Sequence, residues 1–110
     1  MAYTQDFFNF VNEQLSEFGV FDTRKMFGGI GYYKEGVMFA LLGNDQFCLK
    51  ADETTISQFE TYGMKAFMSS EKNKGLPYWQ VPVEILEDKH ELALWAKKAF
   101  EIAIKTKKKK

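Results

Sequence analysis

The sequence predicts an α+β domain: a two-layer body with a five-stranded antiparallel sheet and helices, in the order α-β-β-β-α-β-β-α. Three observations carry that reading. The stretch from Arg24 to Ala51 is broken by two polar turn signals, Lys34-Glu35-Gly36 and Gly43-Asn44-Asp45, into runs of strand length. Apolar residues recur at helical spacing at both ends of the chain. The length of 110 residues, with 45% apolar and 27% charged, suits one core without staples.

The elements follow in order. Phe7, Phe8, Val11, Leu15 and Phe18 line one face of a helix over 4–18, with Gln5, Asn9, Asn12, Glu13 and Ser16 on the other. Thr4 or Asp6 can accept from the free N–H groups of its first turn, and Gly19 ends it. A first strand is expected over 25–33. Its Gly28-Gly29-Ile30-Gly31 lacks the Gly-Lys-Ser/Thr ending of a phosphate loop, and Tyr32-Tyr33 follows where a dinucleotide fingerprint needs a helix. The glycines therefore read as a bulge or as a place where another backbone comes close. Lys34-Glu35-Gly36 is a hairpin turn, with the glycine free to take positive φ.

Val37 to Leu42 is apolar on both faces, as a central strand would be. After the next turn, Gln46 to Lys50 alternates, with Phe47 and Leu49 on one side and Cys48 on the other. A shorter helix over 52–62 ends at Gly63, and a strand over 64–70 follows. A polar loop leads into the last strand, 76–83, where Pro77 and Pro82 place it at an edge or keep it short. Asp88, with Glu91 three residues on, opens the final helix. Its stripe of Leu92, Trp95, Ala96, Ala99 and Ala103 is small enough for close packing on a sheet. The domain spans 1–104, and 105–110 is read as a disordered lysine-rich tail.

Composition excludes several classes of function. The net charge of zero hides Lys105 and Lys107–Lys110; without them ten basic residues face fifteen acidic ones, a body of formal charge −5. Such a body is a poor phosphate surface. No run approaches the length of a membrane span, and the N-terminus lacks the basic and apolar regions of a signal peptide, so a cytoplasmic protein is expected. Cys48 is the sole cysteine and His90 the sole histidine, which leaves no metal site and no activated nucleophile. The acidic run Glu84, Glu87, Asp88 and Glu91 is explained by helix capping. No catalytic residue, cofactor or metal is therefore assigned. Eleven Phe, five Tyr and two Trp are more than a thin two-layer body is expected to hide, and a docking surface is expected.

The body from the first helix to about residue 103 resembles the N-terminal domain of the TfoX family, bacterial proteins tied to regulation of natural competence. The matching residues are Arg24-Lys25-Met26-Phe27-Gly28-Gly29-Ile30-Gly31, Met38-Phe39-Ala40-Leu41 and Leu49-Lys50-Ala51-Asp52. Phe59, Gly63, Phe67, Pro77-Tyr78-Trp79-Gln80-Val81-Pro82, Leu86-Glu87-Asp88, Glu91-Leu92 and Trp95-Ala96 continue the match. The resemblance implies a secretion-chaperone-like fold, a homodimer, and a transcriptional co-regulator acting with a catabolite-responsive activator at competence promoters. Full-length members carry a second domain with a helix-hairpin-helix-like segment. The reading is a non-enzymatic protein-interaction domain whose candidate contacts are Arg24, Lys25, Met26, Phe27, Tyr78 and Trp79. The alternative is nucleic-acid binding through the lysine run and Arg24-Lys25.

Overall fold

The computed structural model describes residues 4–26, 29–67, 75 and 77–108. Helix α1 spans Gln5–Gln14 and tightens into a 3-10 turn at Leu15–Glu17. Thr4 caps it, its hydroxyl accepting from the Phe7 N–H at 3.1 Å. The Thr4 N–H in turn donates to Asp45 Oδ1 at 2.9 Å, which ties the start of the helix to a turn of the sheet.

Five strands follow: β1 Asp22–Met26, β2 Gly29–Lys34, β3 Val37–Gly43, β4 Gln46–Lys50 and β5 Tyr78–Gln80. They form one antiparallel meander in the order β1-β2-β3-β4-β5. The β2–β3 and β3–β4 turns have two residues each, Glu35-Gly36 and Asn44-Asp45. All four take positive φ, the geometry that matches the twist of a two-residue hairpin.

The five-stranded antiparallel sheet and the α+β class are as expected, but its strands are drawn from different stretches. The single strand expected over 25–33 is a hairpin, with Met26 opposite Gly29. The strand expected over 64–70 contributes an isolated bridge, Ala66 to Trp79; residues 68–70 lie outside the described part. Helix α2 is confined to Ile56–Thr61, because Asp52 holds the preceding turn: its carboxylate accepts from the Thr54 N–H at 2.9 Å and hydroxyl at 2.6 Å. Short α3, Val83–Leu86, precedes α4, Lys89–Lys108. Within the stretch 105–110 expected to be disordered, α4 continues to Lys108, and Lys109 and Lys110 lie outside the described residues.

The helices pack on one face of the sheet. Val11 and Leu15 from the N-terminal helix and 3-10 turn, with Leu92, Ala96, Ala99 and Ala103 of α4, meet Ile30, Ala40, Leu42, Phe47 and Leu49. The register of β2 on β3 jumps between Tyr32, opposite Ala40, and Tyr33, opposite Met38. Phe39 is the extra residue, so it and Ala40 both join the helix-side core. Gln14 is buried, and its amide donates to the Leu86 carbonyl at 2.9 Å, fastening α1 to the end of α3.

Tyr32 is the hub of this core. It is 0% exposed, its hydroxyl donates to Asn12 Oδ1 at 2.7 Å, and Phe8, Phe21, Phe39 and Phe47 surround its ring at centroid distances of 5.3–6.4 Å. A second chain of rings links Tyr62 and Phe59 to Trp95, and Phe59 to Trp79. The expected surplus of exposed rings is not found. Among the described residues the exposed large hydrophobics include just two rings, Phe10 at 38% and Tyr62 at 42%. The N-terminal helix and α4 bury or half-bury most of the others on one sheet face, while Tyr33, Phe67 and Tyr78 lie on the opposite face.

Candidate functional site

The opposite face of the sheet is assembled by strand alternation. Arg24 stands opposite Gly31, and Met26 opposite Gly29. Gly31 stands opposite Leu41, Leu41 opposite Cys48, and Lys50 opposite Tyr78. These residues, with Tyr33 and Met38, lie on one side. A second apolar cluster forms here from buried Leu41, Cys48 and Phe67, with half-buried Met38 and Tyr78 against it. None of its members is helical. Gly31 leaves the space that the side chains around it occupy: a Cβ there would stand 2.7 Å from Met26 Sδ and 3.0 Å from the Tyr33 ring.

Both tyrosines carry a cation. The Arg24 guanidinium lies 5.0 Å from the Tyr33 ring centroid, and Lys50 Nζ lies 5.2 Å from that of Tyr78. The Tyr33 hydroxyl donates to Met26 Sδ at 3.9 Å. Burial, aided by the neighbouring Tyr33, pushes the Tyr78 phenol up to about 12, so it remains a neutral donor at physiological pH. Burial also lowers the Lys50 amine from its ordinary value. The surface is a partly dried floor of methionine, leucine and tyrosine with a positive charge at each end. Flexible thioethers beside rings adapt to varied apolar partners, and the cations favour an acidic rim.

The expected contact residues divide between the faces. Arg24, Met26 and Tyr78 are brought together on this side. Lys25 is exposed on the other, opposite Ile30, and Trp79 packs there at 6.1 Å from Phe59. Phe27 lies outside the described residues. Tyr33, Met38 and Lys50 were missed. Tyr33 follows from strand parity once 25–33 is a hairpin, Met38 from the bulge at Phe39, and Lys50 from the alternation that puts it on the Cys48 side of β4.

Among the described residues, Cys48 lies apart from His90 and the acidic run. Burial pushes the Cys48 thiol up to about 12, so it stays protonated and a poor nucleophile. His90 lies on the surface with Nδ1 3.3 Å from Glu17 Oε1. Asp88 Oδ1 accepts from the Glu91 N–H at 3.1 Å, the helix cap expected of the acidic run. Among the described residues no three His, Cys, Asp or Glu side chains converge on a metal-sized site. Two open hollows flank α4, one of about 260 Å³ beside Trp95 and one of about 390 Å³ beside Phe100, and Leu94 borders both. No helix among the described residues is long and apolar enough to cross a membrane.

Among the described residues, then, a small antiparallel sheet carries helices on one side and a cluster of methionine, leucine and tyrosine on the other. The TfoX N-terminal domain matches residues 13–103, and the chain belongs to that family. It is similar to the DNA transformation protein TfoX1 of Aliivibrio fischeri (strain ATCC 700601 / ES114), with 33% identity over 66 residues, 60% of this chain and 30% of that protein. The match thus spans about a third of that relative's length.

Proposed function

We propose that the chain is a cytoplasmic, non-enzymatic protein-interaction domain that acts as a transcriptional co-regulator of competence genes. It docks a regulatory protein on the face of its sheet opposite α4. Family membership supports the regulatory role, and the name of its Aliivibrio relative supports the link to DNA transformation. The observation that carries the choice of face is the pair of cation-bearing tyrosines, Arg24 on Tyr33 and Lys50 on Tyr78, either side of a floor of Leu41 and Met38. An acidic segment with apolar anchors is the partner such a surface fits.

Transcript profiling of a deletion strain, complemented with wild type or with the Met38→Glu, Tyr78→Ala double variant, tests this. Competence-gene transcripts are expected to fall on deletion and to recover with wild type alone. Unchanged transcripts on deletion, or equal recovery with a variant of wild-type melting temperature, would overturn the proposal.

A further inference from the structure

We infer that the outer edge of β1 is a self-association surface, on which a second copy of this chain pairs β1 against β1, antiparallel, about a two-fold axis at Thr23. The two ends of the sheet differ. The outer edge of β5 is already taken by the segment before it: Phe67 N–H donates to the Tyr78 carbonyl at 2.7 Å, and Gln80 N–H to the Lys65 carbonyl at 3.2 Å. Among the described residues β1 pairs with β2 alone, so alternate N–H and C=O groups of β1 face outward without a strand beside them. Its first four residues, Asp22 to Lys25, are all exposed.

Charge selects the register. For the helices of both copies to lie on one side of a continuous sheet, residues of like parity must face each other. An axis at Asp22 sets two aspartates opposite one another, and axes at Arg24 or Lys25 set two arginines or two lysines together. Like charges directly opposite oppose pairing. An axis at Thr23 instead pairs Asp22 with Arg24 of the partner, twice, and Thr23 with itself. Among the described residues neither Asp22 nor Arg24 has an ion pair within its own chain.

The same register accounts for Val20, at 84% the most exposed large apolar residue described. Continuing the pairing past β1 brings it opposite the partner's Met26, beside the apolar face. The result is one ten-stranded sheet in which the two Arg24–Tyr33 regions become neighbours. This pairing stands apart from the co-regulator reading: the chain can pair whether or not it controls transcription.

Sedimentation equilibrium of the full chain, from about 1 μM to about 1 mM, tests the pairing. Wild type is expected to move from 12.8 kDa toward twice that mass. Asp22→Arg and Arg24→Asp should each weaken association at least about tenfold, and the double swap should restore it. An equimolar mixture of the two single variants should also associate, because each then supplies the charges the other lacks. Circular dichroism checks that the exposed substitutions leave the fold intact; should a single variant unfold, Val20→Asp, outside the strand, should weaken association instead. A monomer throughout, a dimer indifferent to these variants, or a double swap that stays dissociated overturns the inference.

Discussion

Replacing Gly29 with alanine is expected to destabilise the domain by about 3 kcal/mol, lowering the melting temperature by roughly 10–20 °C. The added Cβ would stand 2.5 Å from the Leu42 carbonyl oxygen, with the Gly43 Cα 3.5 Å away. Both are backbone atoms of the central strand β3, so relief requires moving the strand and not turning a side chain. Gly31→Ala, two residues on, is the control. Its nearest contact is Met26 Sδ, the free part of a flexible side chain that can swing aside at a cost of about 1 kcal/mol. Thermal unfolding of both variants separates the cases, and equal losses would show that the β2–β3 approach is not the constraint.

Tyr32→Ala is expected to cost about 4 kcal/mol, the range for emptying a buried aromatic site. Four phenylalanine rings pack around this side chain, and α4 with the N-terminal helix closes the layer above, so the cavity cannot collapse without moving several elements. Tyr32→Phe removes the 2.7 Å bond to Asn12 while keeping the ring, and about 1 kcal/mol should be lost. Asn12 is half-buried, within reach of water once the hydroxyl has gone. Urea midpoints of the pair give the division between packing and hydrogen bonding. A Tyr32→Phe loss as large as that of alanine would assign the site to the polar network instead.

Local signals carried much of this architecture. Thr4, Asp88 and the two hairpin turns did in the structure what their residue types favour, because capping and turn geometry depend on a few neighbouring atoms. The close backbone approach at Gly29 of β2 was also legible, since glycine inside a strand marks a place where a side chain would collide with a neighbour. The hairpin within 25–33 was not. Glycine next to glycine marks a turn as readily as a bulge, and the pairing of Met26 with Gly29 is a matter of register that no local signal carries.

Trp79 shows the limit for the site. Its residue type suits a contact residue, yet strand parity sends it into the helix-side layer while its neighbour Tyr78 faces the other way. Parity is set by register, a long-range property. The same holds for the aromatic total: composition counts rings but not the thickness of the layer that receives them. Phe18, tilted against Phe39 at 4.8 Å, and Phe100, edge-on to the same ring at 6.5 Å, are half-buried because the 3-10 turn and α4 converge over β3.

The most direct test of partner docking on the sheet face opposite α4 is site-specific photo-crosslinking in cells. A benzophenone side chain would be placed at Met38 or Tyr78, with exposed Ser57 on α2 as the control. A discrete, nuclease-resistant protein adduct is expected from Met38 and Tyr78 and not from Ser57. Adducts of equal yield from Ser57, none from the sheet face, or adducts that vanish with nuclease would contradict it.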